Sequence, residues 1–347
     1  MKYLYILLII SFCSCQNKEM QINGIATHTT LKPSKIDSLN TPEKVENFVR
    51  TLDPYLTKFT LKSMQDFNRP YPNDSIAKNL ATKFGVSLSY YKADFDDNAY
   101  QDMLIIGDSH NCTTTAMDGS CSFDCFAIMN FSCDSIKLVN FVDMVGNMIV
   151  PQIIFDGNKP LLKLTKPHKL HPSNNKNIEA GSAILTYKFD NFIEYNKQPA
   201  NYEIETLEFS TSGCFGSCPI YKLTVKKDRS ATFLAEAFNF NKDMENAVYG
   251  QHEGYFKGII KVKDYNKLIN TLNYINFKNL KDDYSVTWTD DQTANLKITY
   301  NNGRIKYITD YGMVGTYGLM AIYQQFADLR FNQNWTEVAE SNHAEPR

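Results

Sequence analysis

The chain has 347 residues, and its 36 Lys+Arg against 38 Asp+Glu leave a formal net charge of −2. That balance gives no electrostatic ground for nucleic-acid binding. A hydrophobic content of 43% with 13% aromatics excludes a globally disordered chain, and the length allows two domains.

Lys2 sets a positive charge ahead of an apolar run from Tyr3 to Phe12, and Ser14-Cys15 follows as a small residue and a cysteine. The run is short of the roughly 20 residues that a spanning helix needs, and it has the length of a signal-peptide core. Residues 1–15 resemble a bacterial lipoprotein signal, with Phe12 and Cys13 departing from the usual leucine-rich pattern. The resemblance implies that Cys15 becomes the lipidated first residue of the mature chain and that acyl chains hold the protein to a membrane. The alternative is an ordinary secretory signal cut elsewhere. Gln16, where an aspartate would signal inner-membrane retention, implies an outer-membrane address. Residues 16–40 are polar and read as a flexible tether.

Thr41-Pro42 opens a helix, with Thr as N-cap and Pro in the first turn. Val45, Phe48, Val49 and Leu52 share one face, and Pro54 ends the helix. A second helix covers about Ser75 to Phe84 and stops at Gly85. The pattern then turns to strands at Val86–Tyr91, Met103–Ile106, Cys125–Phe131, Ile136–Phe141, Gln152–Phe155, Leu161–Leu164 and Ala183–Tyr195, with Asp156-Gly157 as a turn.

Between the first two strands, Asp94, Asp96, Asn98 and Asp102 stand at relative positions one, three, five and nine. Hard cations take several oxygens from one tight loop, so these four are candidate calcium ligands. The segment resembles the acidic loop of FG-GAP-type calcium repeats. It departs from it at Ala99, where that loop has glycine, at Ile105, where a twelfth-position Glu is missing, and in being a single copy. The competing account is a solvated turn.

Of eight cysteines, Cys13 leaves with the signal and Cys15 takes lipid. Cys112, Cys121, Cys125, Cys133, Cys214 and Cys218 remain. An even number in an exported chain reads as disulfides. Pairing is expected within each group, with Cys214–Cys218 as one bridge and three connectivities open for the other four. His110 lies near the first group, but the spacing matches no standard zinc site. His168 and His171 fall in a polar loop and read as solvent-exposed.

Asn196 to Asn201 lacks large apolar residues and marks a boundary. Beyond it strands are expected near Tyr202–Phe209, Ile220–Val225, Ala231–Ala235 and Tyr255–Val262, then a helix capped by Asp264 with Tyr265, Leu268, Ile269 and Leu272 on one face. Leu296, Ile298 and Tyr300 alternate, Asn302-Gly303 turns, and Ile305 and Tyr307 alternate back as a hairpin. A last helix presents Leu319, Ile322, Tyr323 and Phe326. Grouped strands and helices give an α+β class. The expectation is two small domains, 41–195 and 202–331, each a mostly antiparallel sheet packed with helices, with a polar tail at 332–347.

Cys214-Phe215-Gly216-Ser217-Cys218-Pro219-Ile220-Tyr221 resembles the C-F-G-x-C-P-x-Y signature of an uncharacterised domain family of bacterial envelope lipoproteins. The similarity runs from about Tyr202 to Phe331 and implies fold and address but no activity. Cys214 and Cys218 are also similar to the copper-binding pair of thioredoxin-fold copper chaperones, and thiolates suit Cu(I). Pro219 and an alternating strand follow Cys218, so no helix N-terminus acidifies it. Asp290-Asp291 and the charges at Lys281-Asp282-Asp283 read as solvated loops.

No G-x-S-x-G, H-E-x-x-H or phosphate-binding glycine loop occurs. The leading expectation is a lipid-anchored envelope protein with a structural or binding role, non-enzymatic, whose protein or ligand partner the sequence does not name. The alternative is a thiol-redox or copper-handling lipoprotein using Cys214 and Cys218. A third reading is an enzyme of unrecognised type in the N-terminal domain.

Overall fold

A computed structural model of the chain describes residues 31–69, 71–110, 122–132, 135–142, 146–167, 181–240 and 252–338. The signal, residues 16–30 of the expected tether, Cys112, Cys121, Cys133, His168, His171 and the tail from 339 lie outside them. The fold is mixed and sheet-rich, with four α-helices and three sheets among the described residues. No described helix is long and apolar enough to cross a membrane.

The described part of the expected tether is packed rather than free. Ile36 and Leu39, around a 3-10 turn, are buried, and the Lys92 ammonium donates to the Ile36 carbonyl at 2.7 Å. Burial of these two apolar side chains docks the run. Helix α1 (Pro42–Val49) follows as expected, with the Thr41 hydroxyl accepting the Lys44 N–H and Val45, Phe48 and Val49 buried. Helix α2 (Pro72–Lys83) ends at Gly85, whose φ of +69° suits the C′ position.

Strands β1 (Thr60–Leu61), β2 (Tyr90–Ala93), β3 (Asp102–Asp108), β4 (Asp124–Ser132) and β5 (Ser135–Asn140) form one sheet in the order β1-β3-β4-β5. Strand β2 shares an edge of β3 with β1. Strand β3 is buried on both faces. Met103 and Ile105, with Phe126 and Ile128 of β4, pack under α1. Leu104 and Ile106, with Cys125, Ala127 and Met129, face a second core. Period-two alternation sorts these side chains between the two cores. A Cβ at Gly107 would lie 2.1 Å from the Phe59 ring and 2.4 Å from the Thr60 carbonyl oxygen, so glycine lets β1 approach β3.

The second core is closed by a four-stranded antiparallel meander, β6 (Val150–Asp156), β7 (Lys159–Thr165), β8 (Ser182–Lys188) and β9 (Asn191–Glu194). The sequence suggested one strand over Ala183–Tyr195, but Phe189 and Asp190 both take positive φ and fold it into a hairpin. Neither residue is a glycine. Phe189 packs edge-on to Tyr274 at 6.0 Å, a contact no local pattern announces.

An eight-stranded sheet carries the rest. Its strands are β10 (Ile204–Thr211), β11 (Ile220–Lys226), β12 (Ser230–Asn239), β13 (His252–Ile259), β14 (Asp283–Ser285), β15 (Thr293–Tyr300), β16 (Arg304–Tyr311) and β17 (Trp335–Glu337). The order is β14-β16-β15-β10-β11-β12-β13-β17, antiparallel except for β14 against β16. Helices α3 (Val262–Tyr274) and α4 (Tyr317–Asn332) cover one face, and the Phe209 and Phe326 rings stack there at 4.5 Å. The opposite face carries ion pairs such as Lys297–Glu208 and Lys222–Glu236.

Two expectations are corrected here. Asp264 does not cap α3. The helix starts two residues earlier, the Gln333 side chain accepts the Lys261 N–H, and Asp264 accepts from Gln333. The expected polar tail is not free at its start, because Trp335 packs on Phe233 at 5.4 Å and β17 pairs with β13.

Candidate functional site

The acidic segment forms the corner between β2 and β3. Asp97 and Ala99 both adopt left-handed φ, +61° and +72°. Ala99 therefore takes the bend that glycine would take. Asp94 holds it there, accepting the Asn98 N–H at 3.1 Å on one oxygen and the Ala99 N–H at 2.8 Å on the other. Asp102 begins β3 with no exposure to solvent, and its carboxylate accepts the Asn130 N–H at 2.7 Å and the Phe95 N–H at 2.8 Å. Phe95 anchors the corner from beneath, edge-on to Phe192 of β9 at 5.3 Å.

Asp94, Asp96 and Asp102 thereby offer carboxylate oxygens within 4.8 Å of one another. Burial pushes Asp102 up to about 8, against its two N–H donors and with the charges of Asp96 and Asp94 adding to the rise. Burial, then the neighbouring Asp94 charge, raises Asp96 to about 6. Three of the four expected ligands are thus brought together. The fourth, Asn98, is not arranged as a ligand. Its amide NH₂ donates to Asp96 and to the Asn130 carbonyl, both at 2.9 Å, and its oxygen accepts the Tyr100 N–H at 2.7 Å. Asn98 ties the loop to β4 instead. Ile105 is buried in β3 and supplies no oxygen side chain.

The second expected site is the connection between β10 and β11. Cys214 and Cys218 are bridged by a disulfide, with their Cα atoms 5.7 Å apart, within the span such a bond allows. The Gln292 amide donates to the Ser212 and Pro219 carbonyls at 2.8 and 2.7 Å and so clamps both ends of the loop. The Phe215 N–H donates to the Asp290 carbonyl at 3.0 Å. Its ring is 90% exposed at the tip. Strand β11 follows Cys218, so no helix dipole acts on the sulfurs.

Cys125 departs from expectation. It was a disulfide candidate, yet it is a free thiol, fully buried on the inward face of β4, with burial pushing its pKa up. Strand alternation sends it into the second core, where a thiol packs as a small hydrophobe. Cys15, Cys112, Cys121 and Cys133 lie outside the described residues.

A polar cluster that the sequence reading passed over joins β3 to β4. Buried Asp108 accepts from the His110 N–H, the Ser122 N–H and the Ser122 hydroxyl, while Asp124 accepts the Ser109 N–H at 2.6 Å. The Ser109 and Ser122 hydroxyls meet at 3.0 Å. His110 Nε2 is 2.9 Å from the Thr60 hydroxyl, and its Nδ1 is 3.7 Å from Asp108. The order carboxylate–imidazole–hydroxyl resembles a nucleophilic triad, but 3.7 Å is too long for the orienting hydrogen bond. The two carboxylates instead clamp the stem between β3 and β4. The matching runs Asp108-Ser109 and Ser122-Phe123-Asp124 are the only local trace of this, and their separation carries no periodic signal. Asp291 accepts from the Trp288 indole and the Gln292 N–H, as a loop-bracing residue does.

A family model described as a domain of unknown function (DUF6438) matches residues 205–330. The match takes in the Cys214–Cys218 loop and runs from β10 into α4. No curated protein and no solved structure matches the chain.

Proposed function

We propose that the protein is an exported, lipid-anchored component of the cell envelope, held at the outer membrane through Cys15, whose folded part is a binding or structural module. The observation that carries this reading is the Cys214–Cys218 bridge within the matched region. Disulfides persist in oxidising compartments, which agrees with the signal-like first fifteen residues. The bridge holds a short loop whose apolar tip, Phe215, faces solvent. A rigid exposed aromatic contributes to binding at low entropic cost. The polar clusters support a non-catalytic role, because Asp108, Asp124 and Gln292 spend their hydrogen bonds on backbone and loop stems. Two domains, 41–195 and 202–331, belong to the same reading.

The test is incorporation of labelled fatty acid, with membrane fractionation of the product. Wild type should be labelled and float with outer membrane, while Cys15→Ala should lose the label. Equal labelling of the variant defeats the reading.

A thiol-redox or copper-handling role is the second reading. The observation favouring it is the exposure of the loop between the two sulfurs. A bridge that mild reductant opens, followed by stoichiometric Cu(I) uptake lost in Cys218→Ser, would move the assignment there.

A further inference from the structure

We propose that Asp94, Asp96 and Asp102 form a Ca²⁺ site at the β2–β3 corner, against which Tyr187 packs. The carboxylate oxygens of the three lie within 4.8 Å of one another. Among the described residues none of the three is in an ion pair with a Lys, Arg or His. Three carboxylates at that spacing cannot all stay ionised unless something positive stands between them.

Two further atoms point to what is missing. One oxygen of Asp96 is shielded from solvent and has no hydrogen-bond partner. The hydroxyl of Tyr187, on β8, is in the same condition, and the residue is 7% exposed. Tyr187 stands on Phe192, Phe192 stands on Phe95, and the Phe95 N–H binds Asp102, so the tyrosine packs against the same corner. Tyr187 is packed against Phe131 and Phe192, with ring centroids at 6.1 and 5.2 Å, so its hydroxyl has little freedom to seek a partner elsewhere. Buried polar atoms left unpaired are rare and costly. A cation ligated by Asp96 would satisfy its free oxygen, and a water on that cation would satisfy the tyrosine.

The donor set selects the ion. All are hard oxygens, with no imidazole or thiolate, which disfavours zinc and copper. Ca²⁺ accepts an irregular shell completed by water, whereas Mg²⁺ demands near-ideal octahedral geometry. The backbone donors to Asp94 and Asp102 leave lone pairs on each carboxylate for a metal. Three side-chain ligands put the affinity at about 10⁻⁴–10⁻³ M, the range of extracellular modules. The corner does not involve the lipid anchor, so the fatty-acid test can fail while this one succeeds.

The experiment uses the full mature chain, stripped with chelator and exchanged into buffer of matched ionic strength. Its melting temperature is read with and without CaCl₂ at about 10 mM. The expected result is a rise of about 3 °C or more in wild type and none in Asp96→Asn, each protein compared with itself. Calorimetric titration of wild type with CaCl₂ should show one site. No heat and no shift in wild type overturns the proposal, as does an equal shift in Asp96→Asn. An equal response to MgCl₂ overturns the assignment to calcium. If Asp96→Asn does not fold, the wild-type calorimetry decides alone.

Discussion

Glu194, the last residue of β9, holds the N-terminus of α4 through Gly318. One carboxylate oxygen accepts the Gly318 N–H at 2.8 Å and the other accepts the Tyr317 N–H at 2.7 Å. A negative group at a helix N-terminus satisfies orphan donors and meets the positive end of the dipole. The Thr316 hydroxyl takes the Leu319 N–H at 3.1 Å, so three amides of the first turn are partnered. A Cβ on Gly318 would stand 2.8 Å from the Glu194 oxygen and 2.5 Å from Ile275.

Glu194→Ala should therefore cost about 1–2 kcal/mol, read by urea denaturation, because it leaves two helix amides unpaired. Gly318→Ala should be destabilising as well. A Glu194→Ala midpoint indistinguishable from wild type would show that water replaces the carboxylate at no cost.

Gly107→Ala should be severely destabilising, by about 2 kcal/mol or more, because the new Cβ overlaps both the Phe59 ring and the Thr60 carbonyl. Adding Phe59→Leu should recover only part of the loss, since the backbone oxygen remains in the way. Thermal melts of the single and double variants check this, and full recovery would mean that the ring alone was the obstacle.

The Cys214–Cys218 loop should separate stability from exposure. Replacing both cysteines by serine should cost about 2 kcal/mol, the chain-entropy value for so short a loop. Phe215→Ser should leave the melting temperature within about 1 °C, because the ring is 90% exposed and buries almost nothing. Melts under non-reducing conditions distinguish the two, and a large loss in Phe215→Ser would place that ring in a contact the fold depends on.

Stability of chelator-treated protein should fall as pH rises from about 4 to 8. Asp102 has its folded value raised to about 8 from an ordinary 3.8, and Asp96 to about 6 from the same start. The folded state then binds more protons than the unfolded chain across that window. The stabilisation is complete below the ordinary value and is lost as pH climbs through the raised ones. Melting temperatures across the range should decline, and Asp96→Asn should flatten the lower part of the curve. A rise with pH would contradict the assignment of these buried carboxylates.

Local chemistry made a good part of the fold legible. Thr41-Pro42 announced α1, Gly85 marked the end of α2, and alternation around Asn302-Gly303 gave the β15–β16 hairpin, closed by a three-residue loop. The clustering of Asp94, Asp96 and Asp102 was legible for the same reason, since a single tight corner brings them together. The orientation of Asn98 was not, because its partner Asn130 lies on another strand. The Asp108–Asp124 clamp was hidden likewise, as it forms only once β3 and β4 pair.

By itself, then, the amino-acid order determined the helices with capped ends, the strands with clear alternation, the acidic corner and the short cysteine loop. Each depends on neighbours a few residues apart, whose spacing dictates which side chains share a face. Only the tertiary structure decided the turn at Phe189-Asp190, the inward thiol of Cys125, the docking of Trp335 and the hold of Glu194 on α4. Those rest on contacts between segments far apart in the chain, and alternation says which side of a strand is apolar, not which distant element will cover it.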